Sequence, residues 1–256
     1  MFSLLFAAAT LVHPLPPKKP APTGDGLPAK APSAVGMSAA RLATIDRVIE
    51  RGIRAGGYPG AAVVVGRKGA AVWEKGFGGL GWTREEGSVV PERTIYDLAS
   101  LTKVIATTTL VMRAVDDGRL TVEDRVRDWL PEWRGSDRET VTVRDLLAHS
   151  SGLPAYLPFF RDHAGRIEFE PAISHIPLEY EPRSRSTYSD LGFILLGFIL
   201  ENARGASRQP GRFDPSLTLA SQFRRVASFI TTEPLTFNPP RTWRPRTAPT
   251  ELETWR

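Results

Sequence analysis

A serine and a lysine three residues apart stand at the start of a predicted helix. Ser100 and Lys103 lie in the run YDLASLTK at 96–103, and an apolar stretch follows at 104–115. In a helix the two side chains share one face, because residues i and i+3 are neighbours on its surface. Ser100 is suited to the N-terminal cap region and Gly118 to the C-terminal stop. The spacing therefore predicts a nucleophile beside a base.

A serine hydroxyl is a weak nucleophile until a neighbouring group removes its proton. A lysine does so only when burial or nearby positive charge lowers its pKa toward neutrality, and a core helix supplies burial. The ordinary alternative is an N-cap serine beside a solvated lysine, and Ser-x-x-Lys alone is a weak motif. Lysine usage favours the catalytic interpretation, because the chain holds 27 arginines and 6 lysines, of which Lys103 is the last.

The composition is that of a globular protein and argues against several kinds of site. Of the 256 residues 41% are hydrophobic, and the net charge of +5 comes without a block of like charge, so we expect no nucleic-acid partner. The absence of cysteine excludes disulfides, thiolate metal sites and cysteine nucleophiles. The four histidines show no metal-ligand spacing. We expect no metal, no cofactor and a monomer.

Residues 1–36 are predicted to be a signal-like segment followed by a linker. The apolar run at 2–12 is too short to span a membrane and resembles the hydrophobic part of a secretory signal, although no Lys or Arg precedes it. Residues 13–36 are rich in Pro, Ala and Gly and are typical of a flexible linker. A secreted or periplasmic location is the expectation. A buried N-terminal segment in a cytoplasmic protein is the alternative.

The next part of the chain predicts an antiparallel sheet with helices packed on it. A helix begins at Ser38 and stops within 52–57. The hairpin signal Arg67-Lys68-Gly69 separates two β-rich runs at 61–66 and 70–76. Mostly helical sequence follows, with helical or turn-rich segments at 120–133, 143–149 and 191–201. This order is typical of an α+β fold.

Two further residues are candidates for the site. His149 lies one residue from a predicted helix stop, where a capping or structural role is favoured over acid–base catalysis. Tyr188 immediately precedes the apolar helix at 191–201. By itself, a tyrosine there is more often a packing aromatic with a satisfied hydroxyl than a catalytic phenol.

Three motifs in order resemble the serine β-lactamase and penicillin-binding-protein superfamily, in particular its class C-like and esterase branch. They are DLASLTK at 97–103, DLLAHSSGLP at 145–154 and YSDLGF at 188–193, and the resemblance covers about residues 38–205. It implies a β-lactamase/transpeptidase-like α/β (α+β) domain within 37–205, with an antiparallel sheet flanked by helices plus a helical subdomain. It also implies an acyl-enzyme hydrolase that takes a small-molecule ester, a β-lactam or a peptidoglycan-like substrate.

The resemblance assigns a role to each motif residue. Ser100 would be the acylated nucleophile, Lys103 its base partner and Tyr188 a second proton-transfer group. The third residue of the Tyr motif is often Asn in the family and is Asp190 here, a candidate substrate-binding residue. A carboxylate near Lys103 would favour the ammonium form, which works against lysine as the base and favours Tyr188. If Asp190 points away instead, Lys103 keeps its role, and both arrangements stay open.

The later part of the sequence departs from the family pattern. A third motif, Lys-Thr-Gly or His-x-Gly, is expected after Tyr188, but no lysine follows Lys103, and His163-Ala164-Gly165 precedes Tyr188 and is interpreted as a decoy. Residues 206–232 resemble an altered reading frame. We therefore expect missing C-terminal strands, an aberrant or poorly ordered tail at 206–256, and little or no activity. The alternative is a non-catalytic ligand-binding protein, an inactive remnant of the fold.

Overall fold

The computed structural model describes residues 26–83, 87–204, 218–230 and 235–248. Its first elements are a 3₁₀ turn (Pro32–Val35) and two short helices, α1 (Ala39–Leu42) and α2 (Thr44–Arg54). Ser38 caps α1, since its hydroxyl accepts a hydrogen bond of 3.3 Å from the N–H of Arg41. The helix predicted to begin at Ser38 is confirmed.

The predicted hairpin is formed by β1 (Gly60–Arg67) and β2 (Ala70–Gly78), which pair antiparallel. Lys68 and Gly69 form the turn with φ of 51° and 70°, the left-handed conformation at both central positions that matches the twist of the strands. Lys75 of β2 reaches across to Asp46 of α2, with Nζ and Oδ2 2.5 Å apart. Within the described residues this two-stranded sheet is therefore held against the N-terminal helices.

The helix that follows Ser100 spans 101–116 and changes character along its length. Its first half is a π-helical turn (Lys103–Thr108), and its second half is α3 (Thr109–Asp116). The hydroxyls of Thr108 and Thr109 donate to carbonyls five residues earlier in the wide turn. Gly118 ends the helix with φ of 66°. The predicted helix and its stop are confirmed, and the π turn is an addition to the prediction.

The remaining helices assemble around one central apolar helix, α7 (Asp190–Arg204). The helices packed on it include α3 together with α4 (Val126–Trp129), α5 (Val143–Leu147), α6 (Gly165–Ser174) and α8 (Leu219–Ile230). Two further 3₁₀ turns are Phe159–Arg161 and Arg241–Arg246. The leucines and isoleucine on the inner face of α7 are fully buried: Leu191, Leu195, Leu196, Ile199 and Leu200. This packing fixes the first residue of α7 relative to the rest of the helical subdomain.

Helix α5 has a complete capping box at its N-terminal end. Thr142 accepts from the backbone of Asp145, and the Asp145 carboxylate accepts from the N–H of Thr142 at 2.9 Å. The same buried carboxylate pairs with Arg183 at 3.1 Å. These contacts fix the N-terminal end of α5. The loop that follows the helix is tied back to it by the N–H of Ser150, which donates to the carbonyl of Asp145 at 2.8 Å.

Two helices lie where the sequence did not predict them. Helix α6 follows Gly165 and contains Pro171, and α8 falls in the segment expected to be aberrant or poorly ordered. Phe223 of α8 is buried, and Gln222 donates to the carbonyl of Leu200 at 3.2 Å. Residues 1–25, which include the signal-like run at 2–12 and the first part of the predicted linker at 13–36, and residues 205–217 lie outside the described residues. In the described ranges, no helix combines the length and apolar character needed to cross a membrane.

Candidate active site

Ser100 lies on a tight turn immediately before the π-helical segment. Its neighbour Ala99 has φ of 43°, an unusual left-handed conformation for a residue with a Cβ, and its N–H donates to Asp97 Oδ1 at 2.8 Å. The carbonyl of Ser100 accepts from the N–H of Lys103 at 3.0 Å. This backbone geometry presents the serine hydroxyl on the same side as the lysine side chain.

Lys103 joins the first and third sequence motifs at one point. Its Nζ donates to Ser100 Oγ at 3.3 Å and lies 4.7 Å from the centre of the Tyr188 ring. Asp190 Oδ1 is 2.5 Å from the same nitrogen. This contact is a close ion pair between an ammonium and a carboxylate. The structure thus brings together all four candidate residues named from the sequence.

The charge state of Lys103 follows from these contacts. Burial alone would lower the pKa of its amine, but the contacts with Asp190 and with Tyr188 outweigh burial, so the pKa is raised. The amine is therefore an ammonium at neutral pH. The question that the sequence left open is answered, since Asp190 points at Lys103 and favours the charged form.

The YSD motif is held by hydrogen bonds to the loop that follows α5. Ser189 is buried, and its hydroxyl donates to the carbonyl of Pro154 at 2.7 Å. The N–H of Asp190 donates to the carbonyl of Ala155 at 2.9 Å. The N–H of Ser189 donates to Nδ1 of His149 at 3.0 Å. Two of the three motifs are therefore locked together next to Tyr188.

His149 organises this loop through both its backbone and its ring. It follows α5 with φ of 57°, and its carbonyl accepts from Tyr180 Oη at 3.1 Å and from the N–H of Thr187 at 2.9 Å. Its ring lies 4.7 Å from that of Tyr188 and 5.0 Å from that of Phe193. Burial, and then the positive charge of Lys103, lower its pKa, so the imidazole is neutral and Nδ1 accepts. His149 has a positioning role at the site.

A cavity of about 570 Å³ opens beside the reactive atoms. Ser100, Lys103 and Asp190 line one part of it. A larger cavity of about 1070 Å³ lies between residues 95–106 and the segment 235–248, and its lining includes neither Ser100 nor Lys103. His163 of the decoy sequence makes edge-to-face ring contacts with Phe159 and Phe169. The smaller cavity is the one that adjoins Ser100.

Known relatives match most of the described domain. The Beta-lactamase family model matches residues 45–214. Over 189 residues the chain is 34% identical to "N-acetylmuramyl-L-alanine amidase" of Bacillus subtilis (strain 168), which covers 66% of this chain and 42% of the relative. Over 198 residues it is 31% identical to "Putative D-alanyl-D-alanine carboxypeptidase" of Escherichia coli (strain K12), which covers 68% of this chain and 44% of the relative.

Solved structures agree with this assignment. The crystal structure of a class C beta lactamase from Rhodobacter sphaeroides superimposes with a TM-score of 0.63 and 27% identity, covering 82% of this chain and 54% of that one. The chain spans less than half the length of the two sequence relatives. The fold predicted from the three motifs is confirmed. On the family match and the shared fold, the chain belongs to the beta-lactamase family.

Proposed function

We propose that this chain carries the active site of a serine hydrolase that cleaves an ester or amide through an acyl-enzyme at Ser100. The low activity expected for this chain from its sequence stays a prediction. One observation carries the proposal: Lys103 Nζ lies 3.3 Å from Ser100 Oγ, inside a group that also includes Tyr188 and Asp190. Membership of the beta-lactamase family supports it. The names of the two sequence relatives, an amidase and a carboxypeptidase, are those of hydrolases.

The proposed reaction begins when Ser100 Oγ attacks the carbonyl carbon of the substrate. The hydroxyl proton passes to a base, the carbonyl oxygen becomes an oxyanion, and its collapse breaks the bond to the alcohol or amine, which leaves with a proton. Water then attacks the acyl-enzyme and restores Ser100. Each step needs a group that stabilises negative charge and a group that moves a proton.

Lys103 is proposed to supply the positive charge. Because its pKa is raised, the ammonium has no free lone pair to accept the Ser100 proton, but it stabilises the alkoxide that forms 3.3 Å away. Tyr188 is then the proposed proton acceptor, since its ring lies beside this cation, 4.7 Å from Lys103 Nζ. Asp190 acts through Lys103 as a positioning residue rather than as a direct substrate ligand.

Esters, β-lactams and peptidoglycan-like amides are the candidate substrates. The names of the relatives favour the last of these, because muramyl-alanine and D-alanyl-D-alanine bonds belong to peptidoglycan. A periplasmic or secreted location would bring the chain to such a substrate. That location stays a prediction from the signal-like segment at 2–12.

The test is labelling of the purified chain with a serine-directed fluorophosphonate, followed by intact mass. We expect one adduct that disappears in Ser100→Ala and persists in Ser88→Ala, which removes an exposed serine that does not line the cavity. An adduct that survives Ser100→Ala would refute the assignment of the nucleophile. No adduct at all, with reversible binding of a penicillin, would instead support the non-catalytic binding protein, which the Lys103–Asp190 ion pair favours.

A further inference from the structure

The cavity beside Ser100 continues from the reactive atoms into an apolar interior. Beyond Lys103 and Asp190, its walls include aromatic and aliphatic side chains from three helices, α6, α7 and α8, and from one loop. Phe169 comes from α6, and Phe193 and Phe198 come from α7. Tyr156 and Phe160 come from the loop between α5 and α6. A wall of this composition favours an apolar occupant, because apolar surface removed from water is stabilising.

The charged groups that line this cavity are paired with one another or with neighbours. At the end next to Ser100, Asp190 is neutralised by Lys103. Elsewhere in the lining, Glu201 accepts a charge-assisted hydrogen bond from Arg166 Nη1 at 2.9 Å. An anionic occupant would meet two carboxylates, and a cationic one would compete with Lys103 and Arg166. The charge pattern therefore favours a neutral occupant.

We propose that this cavity is the pocket for an uncharged, apolar or aromatic acyl group whose carbonyl carbon is attacked by Ser100. The inference rests on the proposed function and adds the substrate class. The acyl group is bonded to Ser100 Oγ from acylation until water releases it as the acid, whereas the alcohol or amine departs in the first half of the reaction. A volume of about 570 Å³ lies within the range typical of small-molecule pockets.

Gly197 provides a way to fill this pocket without disturbing the fold. It lines the cavity from the middle of α7, and a Cβ built on it meets no atom within 4 Å. Alanine and leucine both have higher helix propensity than glycine. The Gly197→Ala and Gly197→Leu variants therefore add one and four carbon atoms to the pocket while the helix is retained.

The experiment measures kcat/KM of the full chain for p-nitrophenyl esters from acetate to octanoate. We expect a rise of about fourfold per added methylene until the pocket is full. In Gly197→Ala the rise in kcat/KM should stop at a shorter acyl chain. In Gly197→Leu the rise should be abolished, while the acetate ester is still cleaved. Met112→Leu, a change at a residue that is 62% exposed on α3 and outside the cavity lining, should leave the profile unchanged. A flat profile, or one that Gly197→Leu does not alter, would overturn the proposal.

Two further measurements separate the pocket from the chemistry. A series of acetate esters with longer alcohols should show no comparable rise, and a rise there would assign the pocket to the leaving group and overturn the acyl assignment. If no ester is turned over, binding of hexanamide to Ser100→Ala is followed by NMR, with and without Gly197→Leu. Binding lost in the double variant would support the pocket while the proposed hydrolysis fails. No binding would overturn the pocket as well.

Discussion

Two lysine–aspartate pairs with the same separation lie in different regions of this protein. Lys75 and Asp46 join β2 to α2, and Lys103 and Asp190 join the π-helical turn to α7, each with 2.5 Å between nitrogen and oxygen. Both ammonium groups also lie near an aromatic ring, at 5.0 Å from that of Phe77 and 4.7 Å from that of Tyr188. The distances alone do not distinguish the two pairs.

The surroundings of the two pairs do distinguish them. The side chain of Lys75 is 44% exposed, whereas that of Lys103 is 15% exposed and donates to a serine hydroxyl beside a cavity. Water and salt screen a surface pair, which typically contributes about 0.2–1 kcal/mol to stability. A partly buried pair is screened less and changes the chemistry of its neighbours. The two carboxylates are similarly exposed, at 32% for Asp46 and 37% for Asp190. Burial of the lysine and the identity of its neighbours, rather than separation, therefore distinguish the pair at the proposed active site.

Removal of the Lys103 amine is expected to have the largest effect. In Lys103→Ala the Ser100 alkoxide loses its cation, and the second-order rate constant for fluorophosphonate labelling should fall about 100-fold or more. Lys75→Ala, the matched variant in the other pair, should label like the unmodified chain. Equal labelling by both variants, once urea unfolding has shown both to be folded, would mean that the two pairs do not differ in function.

Asp190→Asn tests which protonation state of Lys103 is active. The contact with Asp190 raises the pKa of the Lys103 amine, so the amide variant lowers that pKa. If the ammonium is the active form, labelling of the variant should begin to decline at a lower pH than labelling of the unmodified chain. Asp46→Asn is the control and should leave the pH profile unchanged. Faster labelling of Asp190→Asn at alkaline pH would show instead that neutral Lys103 acts as the base.

His149→Asn tests how much His149, whose pKa is lowered by burial and by the charge of Lys103, contributes to stability. Asparagine tolerates the left-handed conformation, but the variant lacks the ring, and loss of the bond from Ser189 should cost roughly 1 kcal/mol of unfolding free energy. The pKa of His149 is lowered in the folded state. The contribution of the neutral imidazole to the free energy of unfolding is therefore complete above the unfolded-state pKa of about 6.5, and it is lost as the pH falls through the lower pKa of the folded state.

Urea unfolding at pH 7.5 and at pH 5 measures this contribution. The groups that face His149 are Lys103, Asp190 and Tyr188, and the variant leaves them unchanged. Stability of the unmodified chain should fall more between these two pH values than stability of His149→Asn. An identical fall in both chains would assign the pH dependence to other groups.

Lys75→Ala is expected to have the smallest effect. Its pair with Asp46 lies at the surface, and the unfolding free energy should drop by less than about 1 kcal/mol. High salt should shrink the difference, because it screens the pair in the unmodified chain. Urea unfolding at low and at high salt measures it. A loss of several kcal/mol would mean that this pair holds the hairpin to α2 more strongly than its exposure indicates.

Features that depend on neighbours in the chain could be predicted from the sequence. The proximity of Ser100 and Lys103 follows from helix periodicity, and the hairpin follows from the turn residues Lys68 and Gly69 between two β-rich runs. The apolar run of α7 predicts a buried helix, because its composition alone requires burial. The order of the three motifs was sufficient to predict the family to which the chain belongs.

Features that depend on residues distant in sequence could not be predicted. The direction of the Asp190 carboxylate is set where α7 packs against the π-helical turn, and the bond between Ser189 and His149 joins residues 40 positions apart. The π turn could not be predicted from apolar periodicity, because its visible feature is a pair of threonine hydroxyls that donate to carbonyls five residues earlier. Helix α8 was missed because its order comes from packing of residues such as Phe223 rather than from its composition.

The backbone conformation of Ala99 limits which residues can stand next to Ser100, although the alanine side chain has no functional group. Its left-handed backbone turns the chain so that Ser100 faces Lys103. A β-branched side chain in that conformation costs on the order of 1–3 kcal/mol, whereas glycine and asparagine adopt it readily. In a saturation library, tolerance at position 99 would thus follow backbone conformation and not side-chain chemistry. The backbone at position 99 therefore restricts which residues can stand beside Ser100, although the Ala99 side chain takes no part in the proposed reaction.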